Sequence, residues 1–304
     1  MRYSLDEIET FLTVMELGTV TAAAARLNLS KSVISKRIAD FEATIGAALF
    51  RRNAGRIAPT EAATRLAERL RPALAELTAA AESAAWGMDG AAPLRGRLAI
   101  AAPMSFGTMF LSPILARFAA LHPELEIRVD YDDRSRDLAR EGFDIGIRIG
   151  AARDGALMAR KLCEDQQVIV AAPGYPLPAT LADLTGADVI SYSHTADSTL
   201  WRFRQNGREI TPHMNSRISL NNGKAIRDMA QAGLGLAMLP GFLVAQALRD
   251  GRLIRVLPDL ETRPLPIWAV WPPVTPLPAK LRALIDHLAA ELAGGAPWAG
   301  GAAG

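Results

Sequence analysis

Between residues 26 and 56 the chain carries seven cations, Arg26, Lys31, Lys36, Arg37, Arg51, Arg52 and Arg56, against two acids, Asp40 and Glu42. The 304-residue chain has a net charge of only +2, and over residues 1–90 there are eleven charges of each sign. The basic signal is therefore a local patch on a neutral module. Three short hydroxyls, Ser30, Ser32 and Ser35, are interleaved with Lys31, Lys36 and Arg37. Such a mixture suits a row of phosphate oxygens, with binding that weakens as salt rises. A solvated, charged helix face would show the same residues, so the patch needs a geometry before it means anything.

Other chemistry is sparse. His122, His194, His213 and His287 are scattered without the spacing of a metal site. Cys163 is the only cysteine and reads as a small buried apolar group, which makes an intramolecular disulfide impossible and suits a reducing cytosol. The stretch "AGLGLAMLPG" offers Gly233 and Gly235, but Met238 stands where a dinucleotide loop needs its third glycine. With no nucleophile–base pair in view, neither an enzyme nor a bound cofactor or metal is expected. Two residues do suit an anionic ligand: Ser105, just after an apolar strand, and Arg148, on a strand of core type.

Helix signals position the basic patch. Ser4 and Glu7 form a capping box, and Ile8, Phe11, Leu12 and Met15 recur at helical spacing up to Gly18. Thr19 or Thr21 caps a short alanine-rich helix closed by Asn28. Ser30 caps a third helix that ends at Gly46. Its residues Val33, Ile34, Ile38, Phe41 and Ile45 are assigned to the core side, leaving Lys31, Ser32, Ser35 and Lys36 opposite. Two short helices joined by a tight turn, the second with a basic N-terminal half, describe a helix-turn-helix. In "LFRRNAGRIAP" a turn between two short strands would place Arg51, Arg52 and Arg56 around a wing.

Thr60 then caps a long helix over "EAATRLAERLRPALAELTAAAESAAW", with Leu66, Leu70, Leu74 and Leu77 in one stripe. A stripe on a helix leaving a small module wants a partner, and a second copy of the chain is the expected one. Pro72, inside this helix, predicts a kink or a break, and "GMDGAAP" a hinge. From Leu98 strands alternate with helices: "LAIAAP", "LEIRVDY" and "FDIGIRIG", then "QQVIVAAP", "DVISYS" and "LGLAML", with "PIWAVW" returning late. This alternation predicts βαβ units in two α/β lobes, similar to the periplasmic-binding-protein fold. Ligands in such sheets sit at strand C-terminal ends beside helix N-termini. That rule selects Ser105, Arg148, Ser193, His194, Thr195, Asn222 and Gly223 as the candidate effector-binding residues.

The order of elements, and the sequence "IETFLTVMELGTVTAAAARLNLSKSVISKRIADFEATIGAALFRRNAGRIAPTEA" itself, resembles the LysR-type transcriptional regulators. "LRGRLAIAAPMSFGTMFLSPILARFAALHPELEI", "EGFDIGIRIG" and "AGLGLAMLPGFLV" extend the resemblance to about residue 292. It implies a winged helix-turn-helix DNA-binding domain over 1–59 and a dimerisation helix and hinge over 60–90. An effector-binding domain then fills 91–304. Its first lobe takes about 91–167 and 268–292 and its second about 168–267, with 293–304 as a disordered tail. The implied partners are double-stranded DNA bearing two-fold half-sites, a small-molecule effector (an anion among the candidates), and further copies in a homodimer or homotetramer.

The family commonly has Gln and Pro where this chain has Lys31 and Ser32, and Arg then Gln where it has Lys36 and Arg37. Operator preference is therefore the least transferable property. The interrupted apolar stretches and the acids near the start point to a soluble cytoplasmic chain. The rival reading is a small-solute-binding module without DNA binding.

Overall fold

The structure is a computed structural model and describes residues 3–53, 56–86, 93–150, 155–194, 201–205, 208–294 and 298. The chain divides into two compact units. One holds residues 1–92 with 137–144 and 274–279, and the other holds the remainder.

In the first unit α1 (Leu5–Leu17), α2 (Val20–Leu27) and α3 (Lys31–Ile45) are followed by an antiparallel hairpin, β1 (Phe50–Asn53) and β2 (Arg56–Pro59). Each helix begins where its cap predicts. Ser4 and Glu7 exchange both bonds of the capping box. Thr19, rather than Thr21, accepts from the Ala22 amide, and Ser30 accepts from the Val33 amide. Asn28 and Gly46 end α2 and α3 in the left-handed conformation that relieves the last carbonyls. The core joins Ile8, Phe11 and Val14 of α1 to Ala23 and Ala24, to Ile34, Ile38 and Phe41, and to Leu49 and Phe50. Val33 and Ile45, assigned by spacing to that core, are exposed instead. Both flank a stripe that Ile34, Ile38 and Phe41 already fill.

A single helix, α4 (Glu61–Trp86), leaves the hairpin, with the Thr60 hydroxyl accepting from the Ala63 amide. Pro72 does not break it. Pro72 and Glu68 are both exposed, so the helical bond that proline removes is lost on the exposed side of the helix rather than in the core.

The second unit is α/β. Its first sheet has the order β6-β14-β5-β3-β4, built from β3 (Gly96–Ala102), β4 (Leu125–Tyr131), β5 (Ile145–Ile149), β6 (Met158–Ala171) and, last in the chain, β14 (Pro264–Trp271). Between β3 and β4 runs a helix made of α5 (Met104–Phe106), a π turn (Gly107–Leu111) and α6 (Ser112–Leu121). Over Met104–Leu121 it is long and apolar enough to cross a membrane. Here Phe106, Leu111, Ile114, Leu115 and Phe118 are buried. Gly107 is required in the turn, because a β-carbon there would lie 2.3 Å from the Tyr131 ring. A short α7 (Leu138–Glu141), grouped with the first unit, precedes β5.

The strand β6 serves two sheets. Residues up to Gln166 pair with β14, and from Gln167 onward they pair with β11 (Ala237–Pro240) and β12 (Ile254–Arg255). The second lobe adds β7 (Asp188–Tyr192) beside β10 (Asn215–Leu220), and a small sheet of β8 (Phe203–Gln205), β9 (Arg208–Ile210) and β13 (Glu261–Thr262). Two helices follow β10, α8 (Gly223–Gln231) and α9 (Gly241–Arg249), and α10 (Ala279–Leu292) closes the fold. The reading of 293–304 as a disordered tail fails at Trp298, which is buried. The other residues beyond Gly294 lie outside the described set.

Candidate nucleic-acid interface and effector site

The polar end of α3 is arranged by its own cap. Ser30 is committed to the Val33 amide, and its hydroxyl meets that of Ser32 at 2.8 Å. Lys31, Ser32 and Lys36 are exposed and Ser35 is half-buried, all away from the side that Ile34, Ile38 and Phe41 bury. Val33 joins them, 37% exposed. Arg37 does not. Its Nη2 pairs with Asp6 Oδ2 at 2.5 Å and its Nη1 donates to Thr10 Oγ1 at 3.4 Å, tying α3 to α1. Arg26 also stays within the module, its Nη1 3.7 Å from Glu16 Oε1. Among the described side chains the patch thus separates into Lys31, Lys36 and Arg51, which face outward, and Arg26 and Arg37, which tie helices together.

In the hairpin Arg51 is exposed and stands opposite Ala58, Arg52 opposite Ile57, and Asn53 opposite Arg56. The side chains of Arg52 and Arg56 lie outside the described set. Glu42, counted only as a charge in the sequence, has a structural role. One carboxylate oxygen accepts the amides of Leu49 at 2.7 Å and Phe50 at 3.0 Å, fixing where β1 begins relative to α3.

The stripe on α4 divides too. Ala63 and Ala67 are buried, and Leu66 and Leu70 pack against the core of the helix-turn-helix itself. Part of the stripe expected to meet a second copy is therefore used within the chain. Leu74 is half-buried and Leu77 is 50% exposed.

In the α/β unit four groups from both lobes converge. Ser105, 7% exposed, lies within 3.4 Å of the Asn222 amide nitrogen. That same nitrogen is 3.4 Å from Asp133 Oδ2, while Asp133 Oδ1 accepts the Met104 amide at 2.8 Å. The Asn222 oxygen caps α8 through the Ala225 amide. Burial and the adjacent Asp133 carboxylate, to which it hydrogen-bonds, raise the pKa of the Tyr192 hydroxyl and keep it protonated. Asp132 next door turns away to Arg134 and Arg136, and the hydrogen bonds from Arg134 lower its pKa to about 2.

Ser105 and Asn222 are thus brought together as the sequence suggested. Asp133 and Tyr192 were missed, although both lie at strand ends, where the rule that selected Ser105 would have found them. The other candidates are less central. Arg148 donates to the Arg136 carbonyl at 3.2 Å, an internal partner in the loop after β4. Gly223 is buried where a β-carbon would lie 2.5 Å from Leu243, so its role is close packing. Ser193 and His194 are exposed in the turn after β7, and Thr195 lies outside the described residues. An open cavity of about 1370 Å³ occurs elsewhere, between β6, α9 and the segment 251–264, and none of these candidates lines it.

A winged helix-turn-helix joined by a long helix to a two-lobed α/β domain defines a class: a regulator whose DNA-binding and ligand-binding parts share one chain. Residues 5–64 match the bacterial regulatory helix-turn-helix protein model of the lysR family, and residues 91–293 match the LysR substrate binding domain. The chain belongs to the LysR family and is a DNA-binding transcriptional regulator with an effector-binding domain. It is 33% identical over 293 residues to the HTH-type transcriptional regulator PtxR of Pseudomonas aeruginosa, covering 95% of this chain and 93% of PtxR. An HTH-type regulator of Haemophilus influenzae is 32% identical over 281 residues, 91% of this chain and 96% of that one.

Among solved structures, the full-length virulence activator AphB of Vibrio cholerae has a TM-score of 0.57 at 25% identity, covering 94% of this chain and 98% of AphB. CrgA of Neisseria meningitidis shares the fold, with a TM-score of 0.60 at 23% identity, covering 95% of this chain and 99% of CrgA. The solute-binding module without DNA binding is not favoured.

Proposed function

We propose that α3 enters the major groove with Lys31, Ser32, Ser35 and Lys36 against base edges and phosphates. Arg51, Arg52 and Arg56 follow the adjacent backbone. The observation that carries this is the outward set on α3, which the Ser30 cap and the Ile34–Ile38–Phe41 anchor hold in one orientation. Val33 adds an apolar group to that set and can meet a thymine methyl, the one apolar feature of the major-groove edge.

Leu74 and Leu77 pair α4 with a second copy in a homodimer or homotetramer, so the operator carries two half-sites about one helical turn, or a multiple, apart. The effector, a small polar molecule, engages the constellation of Ser105, Asn222, Asp133 and Tyr192, with Ser193 and His194 at its rim. It shifts the protein by binding its closed and open forms unequally. The protein works in the cytoplasm and catalyses no reaction.

Mobility shifts with the promoter regions flanking its own gene test the DNA reading. Specific complexes that weaken steeply with salt are expected. Binding that ignores both sequence and salt would refute it.

A further inference from the structure

Trp298 is 5% exposed, and its indole lies among three other rings. Its centroid is 4.6 Å from Phe110, 5.7 Å from Phe242 and 6.0 Å from Phe106. Its Nε1 donates to Asp165 Oδ1 at 2.8 Å. The cage draws on both lobes. Phe106 and Phe110 belong to the helix after β3 of the first sheet, Phe242 opens α9 after β11 of the second, and Asp165 sits on β6 just before its pairing changes sheet.

Asp165 is itself 7% exposed, and its other oxygen accepts the Phe242 amide at 3.1 Å. That amide bond comes from the backbone and so orients the carboxylate independently of the Trp298 ring. Gly241 permits the approach, since a β-carbon there would lie 2.7 Å from Asp165 Oδ1. Asp165, Gly241 and Trp298 also border the open cavity, so the cage has a solvent side.

We propose that this cage is a binding site for an indole-type ring, an aromatic ring carrying one N–H donor, and that the chain's own Trp298 is its resident ligand and joins the two lobes by filling it. Two features set the ligand class. Three aromatic walls at tilted and edge-on angles favour a flat ring over an aliphatic chain. The buried Asp165 carboxylate already accepts the Phe242, Gln166 and Gly241 amides and still has a lone pair facing the cage, which a ring N–H fills better than an apolar group. Trp298 supplies both with one side chain in a segment otherwise made of Gly, Ala and Pro. This site uses none of Ser105, Asp133, Tyr192 and Asn222, although Phe106 follows Ser105 in α5.

The experiment uses the full chain carrying Trp298→Gly. Emptied apolar cavities take up aromatic molecules of matching size. The variant is expected to melt about 5 °C or more below the parent. Millimolar indole should raise it towards the parent value, benzofuran, the same shape with oxygen for N–H, should raise it less, and the parent should not respond. Amide exchange should quicken in the variant at both the start of α9 and the α5–π segment, with indole slowing both.

A variant that melts like the parent, or ignores indole, overturns the site. Equal rescue by benzofuran overturns the N–H preference, and exchange confined to one lobe overturns the joining. Should the glycine variant not fold, Trp298→Phe serves. It keeps a ring, loses the N–H and is expected to melt below the parent, whereas an unchanged melting temperature removes Asp165 from the proposal.

Discussion

Arg37 shows how a residue can match a functional pattern and be used for something else. It lies one position beyond Lys36 on a helix whose neighbours face outward, yet its guanidinium goes back to Asp6 and Thr10. Helical geometry explains this: Arg37 is three residues from Ile34, at the margin of the buried face. Spacing alone read it as a DNA contact, because the acid that claims it is 31 positions away. The Arg37→Ala variant is therefore expected to lose up to about 1 kcal/mol of stability, as partly exposed ion pairs do, with its ranking of operator sequences intact. Lys31→Ala should change that ranking. Arg51→Ala should instead weaken all sequences alike and reduce the salt slope by about one. Binding titrations over a panel of operators and salt concentrations separate the three, and equal behaviour of Lys31→Ala and Arg51→Ala would remove the division between reading and anchoring. Val33→Ala should lower affinity for an operator with thymine at one position and be indifferent to deoxyuridine there, whereas wild type should feel the missing methyl.

Capping and periodicity made the three-helix module legible almost residue by residue, because its decisive interactions are local. Ser4 with Glu7, Thr19, Ser30 and Thr60 act within three or four residues of their partners. Glu42 acts seven and eight positions away, where no local rule applies. Glu42→Ala would leave the Leu49 and Phe50 amides without their partner, and a loss of about 1–3 kcal/mol in thermal or urea unfolding is expected. The stripe on α4 was legible as apolar but not as divided, since sequence does not say which neighbour each leucine meets. Leu66→Ala is accordingly expected to lower the melting temperature, by removing a contact inside the chain. Leu77→Glu should leave the melting of the monomer alone and shift sedimentation towards it. If Leu77→Glu sediments as wild type does, this end of α4 takes no part in pairing.

At the scale of the molecule, the alternation of strands and helices carried the two-lobed reading, and the late strand "PIWAVW" returned to the first set as expected. The candidate effector site was half legible. Ser105 and Asn222 sit at strand ends that the fold class selects, but the bond between them spans 117 positions and runs past Asp133, a residue indistinguishable in sequence from Asp132. Geometry tells the two apart: Asp132 is taken by Arg134 and Arg136, and Asp133 faces Met104, Asn222 and Tyr192. Asp133→Asn keeps the shape and removes the charge. It is expected to alter the effector response, read as the shift in operator affinity on adding effector, while DNA binding without effector persists. An unchanged response would move the effector elsewhere, the open cavity beside β6 being the other place.

The position of β14 has a consequence for synthesis. It lies between β5 and β6, so the first sheet lacks an internal strand until residues 264–271 exist, and Ile267 must find Ile149, more than a hundred residues earlier. Contacts of such separation form slowly, and nascent chains begin folding from the N-terminus. The helix-turn-helix, whose core closes between residues 8 and 67, can therefore be complete on the ribosome while the sensing domain is still divided. For that interval the cell holds a DNA-binding head that cannot yet respond to anything.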